Sequence, residues 1–137
     1  MKRLLLLLPV LLLSCSSQQL EVVELPGDSP LVTLRVTFLT GAASDPADKP
    51  GLANLTASMI SSGGTAEMSY QEILDAMFPM ATSVSSQIDK EMTTFYAVTH
   101  VDNLDRFYGL FRSVLFDPGW REEDLARLRD QQINYLR

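Results

Sequence analysis

Asn54, Ala57 and Ser58 stand at the spacing that a zinc-binding helix uses. Two His at i and i+4 with a Glu at i+3 share one helix face. The imidazoles can then hold the metal while the carboxylate takes a proton from a metal-bound water. The segment Leu52-Ala53-Asn54-Leu55-Thr56-Ala57-Ser58-Met59 lies between Lys49-Pro50-Gly51 and Ser62-Gly63-Gly64-Thr65. It has the frame of such a helix without the side chains. Asn54 and Ser58 are poor zinc ligands, and the methyl group of Ala57 cannot move a proton.

Other reactive residues are sparse. His100 is the single histidine and Cys15 the single cysteine, so no His/Cys cluster can form. Serines are plentiful, but no G-x-S-x-G elbow presents one as a nucleophile. His100 reads as a solvated residue at a strand end. Gly63-Gly64 is too short for a phosphate loop and suits a helix stop. Asp45, Asp48 and Asp89 read as solvated loop acids, and Glu122-Glu123-Asp124 as a helix-start preference. The methionines fall mostly at helical core positions.

The elements that would position these residues can be read from hydrophobic period. Val32, Leu34, Val36 and Phe38 alternate with Thr33, Arg35 and Thr37, a strand with one apolar face. Gly51 to Ile60 predicts a helix whose buried stripe is Leu52, Leu55 and Met59, with Asn54, Ala57 and Ser58 on a different face. Ser69-Tyr70-Gln71-Glu72 is a capping box opening a second helix that Pro79 stops. Thr82–Ile88 and Met92–Val98 read as a hairpin around Asp89-Lys90-Glu91. Its first strand, rich in Ser, is expected at an edge, and Phe95, Tyr96 and Val98 of the second are expected to be more buried. Asp102 is the expected cap of a third helix carrying Leu104, Phe107, Tyr108, Phe111, Val114 and Leu115. A last helix has Leu125, Leu128 and Leu136 on its apolar side.

Composition bounds the class. The 137 residues suggest at most one domain, and 46% hydrophobic with 20% charged residues are globular values. A formal charge of -6 disfavours nucleic-acid partners. Lys2-Arg3 followed by the apolar run from Leu4 to Leu13 reads as a secretory signal, too short for a membrane span. Its end, Leu12-Leu13-Ser14-Cys15, resembles a bacterial lipobox. Residues 1–14 are then a lipoprotein signal peptide, 15–19 a tether and 20–137 the folded part. Lipidation of Cys15 would anchor the chain in the cell envelope, on the periplasmic side of a membrane, because more than one acyl chain gives stable anchoring.

The segment from Lys49 to Thr65 resembles the pitrilysin/insulinase/processing-peptidase family, whose active members carry P-G-L-A-H-L-x-E-H-M-x-x-x-G-T here. Pro50, Gly51, Leu52, Ala53, Leu55, Met59, Gly64 and Thr65 fit that pattern. Ala81-Thr82-Ser83-Val84-Ser85, Thr93-Thr94-Phe95-Tyr96 and Arg121-Glu122-Glu123-Asp124-Leu125 extend the likeness over most of the chain from about Leu20. The resemblance implies an α+β fold, an antiparallel-rich sheet with helices mainly on one face. It also implies a domain that continues past Arg137, so the chain is expected to be the N-terminal part of one domain.

The resemblance further implies zinc as cofactor, with a third ligand, a Glu, from the last helix. Aligning on Arg121-Glu122-Glu123-Asp124-Leu125 places that Glu at Asn134-Tyr135. The two His, the base and the third ligand are thus all replaced, and no cofactor is expected. Family members bind extended peptides by adding a strand to a sheet edge, which needs no metal. Ser83, Val84, Ser85 and Ser86 are the candidate edge, although a polar edge that merely resists aggregation reads the same way. Zinc-less members commonly pair with an active subunit. The expected function is a catalytically silent, lipid-anchored protein that supports a zinc metallopeptidase in envelope peptide processing. The alternatives are a stand-alone peptide-binding or scaffold lipoprotein, and a zinc metalloendopeptidase whose site lies beyond Arg137.

Overall fold

A computed structural model describes residues 27–135 and Arg137. The signal segment, Cys15, the tether and Leu136 lie outside the described residues. The elements are β1 (Leu31–Phe38), α1 (Leu52–Ser62), α2 (Tyr70–Met77), β2 (Val84–Ile88), β3 (Thr93–His100), α3 (Leu104–Phe116) and α4 (Glu122–Tyr135). The sheet order is β1-β3-β2, and both pairings are antiparallel. The fold is α+β, as expected, with a three-stranded antiparallel sheet among the described residues.

The helices cover one face. Leu34 and Val36 of β1, Phe95 and Ala97 of β3 and Val84 of β2 point into a core shared with Ala57, Ile73, Met77, Phe107, Phe111, Val114 and Leu115. Burial along β1 alternates as its sequence predicts, though Phe38 remains 41% exposed while meeting Phe95 edge-on at 5.9 Å between ring centroids. In β3 the same alternation corrects an expectation. Phe95, Ala97 and Thr99 face inward, so Tyr96 is only half-buried and Val98 is exposed. Neighbouring residues of a strand cannot both face one core.

Helix ends follow local chemistry. Ser69 and Glu72 form the capping box, with the Ser69 hydroxyl accepting the Glu72 N–H and the Glu72 carboxylate accepting the Ser69 N–H at 2.7 Å. Pro79 does not end α2 abruptly; it is accommodated in a 3-10 turn, Phe78–Met80, closed by Ala81 in the left-handed region. Asp102 is not the cap of α3. The His100 ring accepts the Asp102 N–H at 3.2 Å and caps an intervening 3-10 turn, Val101–Asn103.

In α4 the buried side is Asp124 and Leu128, while Leu125 is 41% exposed. The reason is a polar clamp. Arg127 donates to Asp124 at 2.7 Å and to the Ser62 carbonyl at 2.6 Å, and its guanidinium lies 5.0 Å from the Tyr70 ring centre. Arg127 thereby ties α4 to the end of α1 and the start of α2.

Candidate functional site

Helix α1 is enclosed on two sides, by the sheet and by α4, and this decides the fate of the three motif positions. Ala57 is 1% exposed and belongs to the core, whereas Leu52 of the expected buried stripe is 42% exposed and Leu55 half-buried. The expectation that Ala57 lies off the buried side is therefore wrong; Ala57 and Met59 are the buried residues of α1. Asn54 is exposed and Ser58 half-buried.

Asn54, Ser58 and Ser61 recur at i, i+4 and i+7 and so share one face. Ser61 marks where that face points, because its hydroxyl lies 3.2 Å from the hydroxyl of Ser86 in β2. The Ser61 proton goes to the Ala57 carbonyl at 3.0 Å. A serine hydroxyl has one proton, so Ser86 is the donor in the inter-element bond. The polar face of α1 thus runs beside the strand at the edge of the described sheet. Ser61 escapes a reading confined to the three motif positions. Its signal was the continuation of their helical spacing.

The N-terminus of α1 is held from a distance. The Asp45 carboxylate, half-buried, accepts the N–H of Gly51 at 2.7 Å and of Ala53 at 2.8 Å. Asp45 is therefore a structural clamp rather than the solvated loop acid expected from sequence. It also lines an apolar groove of about 340 Å³ with Phe38, Leu52, Ala53, Ala57 and Phe95. Gly51, in the left-handed region at φ 89°, lets the chain turn into the helix beneath this carboxylate.

Strand β2 begins at Val84, so Ser83 is not part of the ladder, contrary to the expected span. Where the next rung would form, the Thr82 hydroxyl takes the Val98 carbonyl at 2.6 Å instead. Val84 is buried and Ser85 and Ser86 are half-buried. The turn fixes which main-chain groups of β2 face β3 and which face away from it. Asp89 N–H donates to the Met92 carbonyl at 3.0 Å. Antiparallel pairs alternate, so Ser85 and Gln87 direct their N–H and C=O groups to β3, and Val84, Ser86 and Ile88 direct theirs outward. The Asp89 carboxyl also receives the N–H groups of Glu91 and Met92 at 2.9 and 2.8 Å, which hold it below the ordinary aspartate range.

Zinc does not fit the residues present. The helix offers an amide, a methyl and a hydroxyl where metal binding needs imidazoles and a carboxylate, and amide and hydroxyl oxygens are weak competitors for zinc. Asn134 is exposed near the end of α4, and no hydrogen bond links it to Asn54 or Ser58 among the described residues. His100 stands at the far end of β3, bonded to Asp102.

Residues 22–136 match the family model described as Insulinase (Peptidase family M16). No curated protein matches the chain significantly. Among solved structures, a peptidase M16 inactive domain from Pseudomonas fluorescens aligns with TM-score 0.70 and 24% identity, over 77% of this chain and 26% of its own. A protease from Helicobacter pylori aligns with TM-score 0.71 and 15% identity, over 80% and 26%. The periplasmic protease PqqL from Escherichia coli aligns with TM-score 0.67 and 19% identity, over 80% and 12%. The chain spans about a quarter of the length of the first two and about an eighth of the third.

Proposed function

From the premise that this chain belongs to the insulinase family, peptidase family M16, we propose that it is a catalytically silent member that presents a peptide-binding edge in the cell envelope. Ala57 carries the reading. At the position where the family's chemistry needs a proton-moving carboxylate, this chain has a methyl group buried at 1% exposure among core side chains. The position is buried at the wall of the apolar groove. An unpaired carboxylate there would cost several kcal/mol in desolvation.

What survives is the surface on which an extended peptide can lie. The outward N–H and C=O groups of Val84, Ser86 and Ile88 can pair with an added strand, and the polar face of α1 stands beside them. Lipidation at Cys15 would hold the chain at the periplasmic side of a membrane. The edge would then support an active zinc peptidase acting on envelope peptides. The periplasmic neighbour and the neighbour described as an inactive domain are consistent with this role.

Co-purification from membranes in mild detergent tests the reading. The expected result is recovery with a metallopeptidase bearing an intact H-x-x-E-H helix, and Cys15→Ser should move the chain to the soluble fraction. Recovery of zinc-dependent peptidase activity from the purified chain alone would overturn it.

A further inference from the structure

We propose that the sheet face turned away from the helices carries a side-chain pocket, at the start of β2, that selects an aromatic residue in a strand added to that edge. The proposal rests on the edge reading above and adds its specificity.

The pocket is a notch left where the β2–β3 ladder stops. Its volume is about 210 Å³, and Thr82, Ser83, Ser85, Tyr96 and Val98 form its walls. The Thr82 bond to the Val98 carbonyl keeps it open, because that carbonyl no longer draws Ser83 into a rung. The register places three side chains in one row across the face: Ser85 opposite Tyr96, and Tyr96 opposite Arg35. Ser85 is small, so the row is low at the edge and rises to the Tyr96 ring.

An added strand puts each side chain on the same face as the β2 residue opposite. A residue opposite Ser86 would turn toward Ser61 and the polar face of α1. A residue opposite Ser85 would turn to the other side of the sheet and lie against the notch. An aromatic ring suits that place. Tyr96 offers a ring for an offset or edge-on contact, Val98 an apolar floor and the hydroxyls a rim. A basic side chain would instead approach Arg35, whose guanidinium sits 5.9 Å from the Tyr96 ring centre.

The test is a fluorescence titration of the full chain with capped octapeptides of alternating Thr and Phe, or of alternating Thr and Ala. The Phe peptide should bind about tenfold tighter, the scale set by burying one aromatic side chain. Ser85→Leu, which fills the notch, should bring the two affinities together. Equal binding to the unaltered chain, or a Phe preference that survives Ser85→Leu, would overturn the pocket. N-methylation of alternate peptide nitrogens separates the two levels of the proposal. If the methylated peptides bind undiminished, the edge reading itself fails, because no added strand forms; loss of binding supports it.

Discussion

The hydroxyl of Ser61 on α1 meets the hydroxyl of Ser86 on β2 at 3.2 Å, joining that helix to the strand at the edge of the described sheet. Both residues are half-buried. Either Ser→Ala change should lower stability by about 0.5–1.5 kcal/mol, the usual net value of one such bond. The double variant should cost less than the sum of the two. A urea-denaturation cycle measures this; strict additivity would show that the two hydroxyls do not interact.

Asp45 caps a helix that begins seven residues after it. Asp45→Ala should destabilise by about 1–2 kcal/mol, the cost of a lost N-cap, and Asp45→Asn should retain part of that because its amide oxygen still accepts one N–H. Thermal unfolding of the two variants ranks them, and equal losses would contradict the geometry.

Arg127 leaves a nearly buried carboxylate behind when removed, since the Asp124 side chain is 11% exposed. Breaking a fully buried pair costs about 3–5 kcal/mol. The Arg127 side chain is 35% exposed, so Arg127→Ala should cost less, about 2 kcal/mol by the same reasoning. Adding Asp124→Leu should recover part of it, and chemical denaturation reads both.

Two carboxylates predict the acid limb of stability. Backbone and side-chain bonds from Ser69 hold Glu72 below its ordinary range, and the Glu91 and Met92 N–H groups do the same for Asp89. Because each folded pKa lies below the unfolded one, the contribution is complete above the ordinary carboxylate range. It disappears as pH falls through the lowered values. Glu72→Gln with Asp89→Asn should flatten the pH dependence in that acidic window and leave it unchanged at neutral pH. Melting temperature against pH checks this.

Installing a zinc-binding motif on α1 should fail. Asn54→His with Ser58→His alters exposed and half-buried positions and should be tolerated. Adding Ala57→Glu places a carboxylate at a position 1% exposed, where an unpaired charge costs several kcal/mol. Zinc titration by calorimetry, with thermal shift, should show weak binding by the double variant and a folding defect in the triple one. A stable, tightly zinc-binding triple variant would mean that Ala57 faces an open site.

Local signals were legible in the sequence: the alternation of β1, the capping box at Ser69 and the helical period of α3. Contacts between distant segments were not. Asp45 looked like a loop acid because nothing near it announces the helix it caps, and Arg127 gives no sign that its partner is the Ser62 carbonyl. The face of α1 was misread because its sequence carries apolar residues toward two neighbours. Period alone cannot say which neighbour is the sheet. The place of β2 at the edge of the described sheet was readable from its serines, but its start was not, since a side-chain bond from Thr82 replaces a ladder rung there.

The strand order has a consequence in time. Thr37 of β1 and Thr94 of β3 share a hydroxyl contact across 57 residues, whereas β2 and β3 are joined by a tight turn. Closing the longer loop costs more chain entropy, and pairings so far apart in sequence form late. A chain that emerges from a ribosome or a translocation channel with its N-terminus first cannot seat β1 until His100 has followed. The first of the described strands to appear is thus the last of them to be placed.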